Sequence, residues 1–289
     1  MLARLLDSHP EISCPPETYL FASAARFLHE QNRVEGPPIG VIAGLSFSGF
    51  EEEDVLGPLR AMIFDFHARI AKSKPVWVDK TAIDIFHLET LEPFLAGHAR
   101  FLLIERNPLD VVVSNLALAQ VMGAQLHDLF DRTREINSPH EGIAVAWADR
   151  AAALRAFAQR HPEDVCLLRY EDLTNHPHET LTRVLAFLGV APVAERMIVD
   201  AFAGAPRTGL GDFNFDGTTT IRPAQEKAWR NKIPAGALAR IIPILQEQME
   251  EAGYEVPKAP RMPSRANSVR QFQMAAALKR DLSRKRSRD

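Results

Sequence analysis

The chain has 289 residues, 46% of them hydrophobic, and a formal net charge of −3. That apolar content suffices to bury a core in one large domain or two small ones. Its two cysteines, Cys14 and Cys166, are far apart and match neither a metal nor a disulfide framework, so a reducing compartment is expected. No apolar run approaches the ~18 residues that span a bilayer, and no signal peptide precedes the first helix. A soluble, cytoplasmic protein without a membrane span is expected.

In chain order, Leu2, Leu5 and Leu6 have helical spacing, and His9-Pro10 ends that helix. A loop is expected through Cys14-Pro15-Pro16-Glu17, then a helix over about 18–31. Residues 34–50 are rich in Gly, Pro and Ser and read as a loop. The spacing of Val55, Leu59, Met62, Ile63 and Phe66 predicts an amphipathic helix over 52–72. Residues 75–79 (PVWVD) read as a strand, followed by Lys80-Thr81 and a helix near 82–96.

Residues 99–115, ARFLLIERNPLDVVVSN, are the most informative stretch. An apolar strand, Phe101–Ile104, stops at Glu105-Arg106-Asn107-Pro108. A helix over 108–122 then begins, with Asn107 placed to cap it and Pro108 at its first position, where a missing N–H costs nothing. Asp110, at the third helical position, favours the positive end of the helix dipole. Free N–H groups at such a strand–turn–helix corner suit an anion, with Arg106 in the turn and Ser114 in the second helical turn. Read without an anion, the same stretch is an ordinary β-α unit whose Arg106 pairs with a surface carboxylate.

Residues 124–138 are mixed and polar, with substrate contacts expected there. A long helix follows over 140–160, and Val165–Leu168 is a second buried strand, ending at Arg169-Tyr170-Glu171-Asp172. Pro177 opens a helix that closes at Gly189. Residues 204–223 read as irregular, and a final amphipathic helix covers 235–252. The alternation predicts a single α/β domain over 1–256. Residues 257–289 are expected to be a basic, flexible tail. Residues 261–289 carry nine Lys/Arg against two Asp, a net +7, while the remaining 25 basic and 35 acidic residues leave a net −10. A solvated terminus explains that tail better than nucleic-acid binding.

The string 99–115 resembles the 3′-phosphate-binding segment of sulfotransferases that use 3′-phosphoadenosine 5′-phosphosulfate (PAPS). Four further strings follow the same pattern in order. They are SHPEISCPPET (8–18), VDKTAIDIFHL (78–88, with Ala82 where the family has proline), VCLLRYEDLTNHP (165–177) and Trp229-Arg230 ahead of the last helix. The resemblance covers about residues 1–255 and is nearest to the tyrosylprotein branch and its bacterial relatives. It implies a three-layer, P-loop-like α/β fold with a central parallel sheet flanked by helices. It also implies transfer of a sulfuryl group from PAPS to an acceptor hydroxyl, leaving 3′-phosphoadenosine 5′-phosphate (PAP), with no metal required.

The resemblance assigns roles by position. Arg106 and Ser114 match residues that hold the 3′-phosphate, and Tyr170 matches a tyrosine at the adenosine side. Glu17 matches the general base, Lys80 a lysine near the sulfuryl group, and Arg222 is a weaker match for the nucleotide's phosphates. On general chemistry alone, Glu17 reads equally as a helix-start carboxylate, Tyr170 as a phenol at the sheet edge, and Lys80 as a solvated charge. His176-x-His178 is the nearest approach to a metal set, and a polar helix start explains it better.

Two departures stand out. The family's first strand and its Arg/Lys-x-Gly-Thr-Thr phosphate loop belong ahead of Leu2 and are missing from these 289 residues. The expectation is either a start assigned too late or a member unable to hold the donor. Tyr19 stands where the tyrosylprotein branch has an arginine, which points away from acidic peptides toward a smaller or more apolar acceptor. The acceptor is expected to be a small-molecule or carrier-bound hydroxyl. A non-catalytic nucleotide-binding member of the same fold is the main rival. A kinase is disfavoured by the lack of any Gly-Lys-Ser/Thr loop.

Overall fold

The computed structural model describes residues 1–28, 40–121, 136, 138–203, 220–224 and 228–260. The chain divides into two compact units, Met1–Arg106 with Asp149–Glu226, and Asn107–Ala148 with Lys227–Asp289.

Among the described residues, the first unit holds four strands in two parallel pairs. β1 (Ile12–Ser13) lies beside β2 (Val76–Trp77), and β3 (Phe101–Glu105) beside β4 (Val165–Arg169). Parallel partners require long crossovers. Helices α2 (Leu20–Leu28), α3 (Val41–Ser46) and α4 (Glu52–Ala71) intervene between β1 and β2 in the sequence. α5 (Leu88–Leu95) leads into β3, while α6 (Pro108–Val121) and α7 (Pro139–Arg160) intervene between β3 and β4. In register, Ile12 faces Val76 and Phe101 faces Val165.

One core of this unit joins α1 (Leu2–Asp7), β1 and β4 to α8 (Tyr170–Asn175), α9 (Pro177–Leu188) and α10 (Ala194–Ala203). Leu5, Ile12, Leu168, Leu173 and Leu181 are fully or almost fully buried in it. A second core packs Phe21 and Leu28 of α2 against Ile63 of α4 and Phe94 of α5. Lys74, ahead of β2, donates from Nζ to the carbonyl oxygens of Asp7, His9 and Ile12 at 3.3, 3.0 and 2.7 Å, fastening the entry of β1 to that of β2. In the second unit, Leu109 and Val112 of α6 pack with Ile143, Trp229 and Ile241, the last on α11 (Ala235–Glu251).

The structure departs from the sequence reading locally. β1 replaces part of the expected loop after His9-Pro10, because Ile12 and Ser13 pair with β2 across a long sequence gap. Within 34–50, Val41–Ser46 is helical, since Val41, Ile42 and Leu45 pack onto the α2–α4 core. The helix expected over 82–96 is a 3₁₀ turn, Ala82–His87, running into α5. Ile104 and Leu167, expected to be buried, are each 41% exposed. Gly189 ends α9 at φ +73°, the left-handed cap its sequence position predicts. The expected acceptor segment (all of 124–138 except 136 and 138), the irregular stretch 204–219 and the tail from 261 lie outside the described residues. Among the described residues, no helix is long and apolar enough to cross a membrane.

Candidate active site

The chain leaves β1 and β2 at the same edge, the carboxyl ends of a parallel pair, where ligands bind in open α/β sheets. The pair is extended by the Val78 N–H, which donates to the Ser13 carbonyl at 2.8 Å. Beyond it, Lys80 Nζ donates to Glu17 Oε1, so the expected base and the expected sulfuryl-side cation are in direct contact. The Ala82 N–H, at the start of the 3₁₀ turn, points at the same oxygen from 3.4 Å. The Glu17 side chain is 10% exposed and that of Lys80 45%. The carboxylate is therefore sheltered while the ammonium reaches solvent.

Beneath this pair lies a polar knot that the sequence reading missed. Asp79 accepts hydrogen bonds from Thr18 Oγ1 and, at 3.0 Å, from Thr81 Oγ1. Thr81 Oγ1 in turn accepts from the Tyr19 N–H at 3.3 Å, and Thr18 Oγ1 accepts from the Leu20 N–H at 3.3 Å. Tyr19 has φ +59°, a conformation uncommon for any residue but glycine. Nε2 of the buried His67 lies 3.2 Å from Asp79 Oδ2, close enough for an ion pair but not aligned for a hydrogen bond. Its ring stacks on Trp77, with centroids 4.3 Å apart, and on Phe21 at 5.6 Å. Burial pushes the His67 pKa down and the Asp79 charge partly restores it. The available signal was the repeated pattern of a charged residue followed by threonine, Glu17-Thr18 and Lys80-Thr81.

Asp84 adds a carboxyl whose titration is displaced by its surroundings. Burial raises its pKa from 3.8 to about 7, with the charges of Asp79 and Glu17 adding to the shift. The Ala22 N–H and Arg26 oppose it. Its Oδ1 is buried without a hydrogen-bond partner. Because the folded value exceeds the unfolded one, the native state holds the extra proton between pH 3.8 and about 7. Stability therefore falls as pH rises through that window and levels off above it. The full shift corresponds to ~4 kcal/mol, and partial solvation reduces what is recoverable. Asp84→Asn is expected to raise unfolding stability by about 1–2 kcal/mol at pH 8 and by almost nothing at pH 4. Urea unfolding at the two pH values checks this, and an equal gain at both refutes the titration.

At the carboxyl end of the other pair, Glu105 and Arg169 face each other in register, so Arg106 and Tyr170 leave β3 and β4 side by side. The Arg106 guanidinium carbon lies 4.7 Å from the centroid of the Tyr170 ring, a cation–π contact. Among the described residues no carboxylate pairs with Arg106, whereas the buried Glu105, one residue earlier, forms an ion pair with Arg155 at 2.9 Å. Arg106 thus remains a cation braced on an aromatic face.

In the second unit, Asn107 Oδ1 accepts from the Leu109 N–H at 3.0 Å, the cap its position predicts. Asp110 reaches further than a dipole partner, since its Oδ1 also accepts from the Trp229 N–H at 3.2 Å. Ser114 is half-buried on the second turn of α6. Arg222 is exposed, on a segment held by the Ala224 N–H donating to Thr174 Oγ1 at 3.1 Å. Among the described residues no contact joins Arg222 to Arg106 or Tyr170. No group of three or more His, Cys, Asp or Glu among them is placed to hold a metal ion.

The model of the Sulfotransferase family matches residues 1–195. The chain belongs to the sulfotransferase family. The matched span contains Glu17, Lys80, Arg106, Ser114 and Tyr170 and stops short of Arg222. Among curated relatives, the chain is 26% identical over 275 residues to nodulation protein NoeE of Sinorhizobium fredii. That alignment covers 88% of this chain and 63% of NoeE, so the chain spans just under two thirds of that relative's length. Two solved structures share the fold. The sulfotransferase domain from the curacin biosynthetic pathway superposes with a TM-score of 0.58 at 18% identity, covering 89% of this chain and 93% of that one. The sulfotransferase domain of the Synechococcus PCC 7002 olefin synthase gives 0.57 at 23% identity, covering 89% and 90%. The fold is thus the P-loop-like α/β fold of sulfotransferases.

Proposed function

We propose that the protein transfers a sulfuryl group from PAPS to the hydroxyl of a small-molecule or carrier-bound acceptor, releasing PAP. The observation that carries this reading is the sheltered Glu17 carboxylate in contact with Lys80 at the carboxyl ends of β1 and β2. Such a pair supplies both halves of an in-line displacement. Glu17 takes the acceptor's proton as its oxygen bonds to sulfur, and the bond from sulfur to the bridging phosphate oxygen breaks. Lys80 neutralises charge on that leaving oxygen. An ion pair with one half-exposed partner is worth about 0–1 kcal/mol, so exchanging Glu17 for the donor as the partner of Lys80 costs little. That exchange leaves the carboxylate free to accept a proton.

Arg106, braced on Tyr170, is assigned to the 3′-phosphate and Tyr170 to the adenosine side, while Ser114 is assigned as a phosphate ligand by its sequence position in the family pattern alone. Arg222 is a secondary phosphate contact. A guanidinium held 4.7 Å from an aromatic ring centroid, with N–H donors able to fork onto two oxygens, suits a phosphate ester. The aromatic Tyr19 beside Glu17 favours apolar or phenolic acceptors. One named sulfotransferase domain comes from the curacin biosynthetic pathway and the other from an olefin synthase, which motivates testing carrier-bound acceptors too.

The test is transfer of ³⁵S from labelled PAPS to a panel of phenols, aliphatic alcohols and carrier-tethered hydroxy acids. Labelled product and stoichiometric PAP support the proposal. Binding of PAP with no transfer to any member overturns it in favour of a nucleotide-binding protein without catalysis.

A further inference from the structure

The knot beneath Glu17 and Lys80 has a geometry that packing alone does not require. Asp79 is the residue before Lys80, and its carboxylate collects two hydroxyls, Thr18 and Thr81, each one residue beyond a proposed catalytic side chain. Those hydroxyls also accept the first backbone N–H groups of the turn into α2. One carboxylate thus ties together the corner after β1 and the corner after β2. Its own freedom is limited, because its side chain is only 4% exposed and the His67 ring lies against it, itself stacked on Trp77 and in ring contact with Phe21. The two strands contribute only two residues each, too short a ladder to align the corners by backbone pairing alone.

We infer that Asp79 is a positioning residue, which holds the Glu17 and Lys80 corners in mutual register through Thr18 and Thr81 so that base and cation meet at one reacting centre. Other carboxylates at the site do not share this role. Asp84 offers the corners no hydroxyl bond among those observed, and Glu17 is itself the group being positioned. The inference rests on the proposed roles of Glu17 and Lys80, while its structural half stands without them.

The experiment compares the wild-type chain with Asp79→Asn by two readouts, amide hydrogen exchange and steady-state transfer. Exchange at Tyr19, Leu20 and Ala82 is expected to quicken about tenfold while the amides of β3 and β4 keep their wild-type rates. The kcat is expected to fall roughly tenfold to a hundredfold with PAP affinity within twofold of wild type, the signature of a small misplacement of reacting groups. Thr81→Val, which removes one hydroxyl, gives a weaker version of both effects and serves if Asp79→Asn does not fold. Wild-type exchange at the corners, exchange that quickens equally throughout, or loosened corners with unchanged kcat each overturn the inference. If the wild-type protein transfers nothing from PAPS, the proposed function fails, and the exchange pattern alone then decides whether Asp79 couples the corners.

Discussion

Glu17→Gln is expected to lower kcat for sulfuryl transfer by about 10³-fold, within the 10²–10⁴ range of a positioned general base. The amide keeps an oxygen for the Ala82 N–H and nearly the same volume, so the corner retains its shape. What disappears is the ability to take a proton and the charge that Lys80 contacts. Because Lys80 reaches solvent, leaving it unpaired costs about 1 kcal/mol or less, and the unfolding midpoint should hardly move. The double variant Glu17→Gln/Lys80→Met separates the two roles. If both groups act in one transition state, the combined loss falls well short of the product of the single losses. A Glu17→Gln enzyme with more than a tenth of wild-type kcat excludes Glu17 as the base.

Arg106→Ala is expected to weaken PAP binding about 30- to 100-fold, the loss of a charge-assisted contact worth about 2–3 kcal/mol. Calorimetric titration checks it, with adenosine 5′-phosphate as the control that lacks the 3′-phosphate. The wild-type preference for PAP over the control should shrink by the same factor, since the guanidinium recognises only the added phosphate. Arg106→Lys should recover only part of the affinity. A lysine ammonium is a point charge that neither forks onto two phosphate oxygens nor reproduces the delocalised guanidinium's contact with the Tyr170 ring, 4.7 Å from its centroid. Equal weakening toward both ligands would place Arg106 elsewhere on the nucleotide, and no weakening would remove it from the site.

The sequence announces some of this site and conceals the rest, and the difference lies in the range of the interactions. The corner after β3 is local. Asn-Pro-x-Asp specifies cap, first turn and charge within four residues, and the Asn107 cap and the Pro108 start follow. Gly189 is local in the same way. The meeting of Glu17 and Lys80, 63 residues apart, depends on pairing β1 with β2, and two-residue strands carry no periodic pattern to read. Family likeness supplied that pair where periodicity could not. Asp79 escaped notice because it looks like a strand-end acid until Thr18 arrives from the far corner. α8 and α3 were hidden for opposite reasons. α8 follows β4 with no intervening turn residue, and α3 sits in a stretch whose Gly and Ser outweigh Val41, Ile42 and Leu45 in any reading of composition.

Lys74 grips the incoming end of β1 through three carbonyls, and Asp79 grips its outgoing corner through a hydroxyl. Both fasteners belong to the β2 side, and Phe21 and His67 anchor the neighbouring ends of α2 and α4 to Trp77. None of these fastening groups comes from residues 29–51, the sequence between α2 and α4. Exchanging residues 29–40, ahead of α3, for a segment of different length or polarity should leave the Glu17–Lys80 contact in place, which makes that segment the place to test for control of acceptor choice under the proposed function.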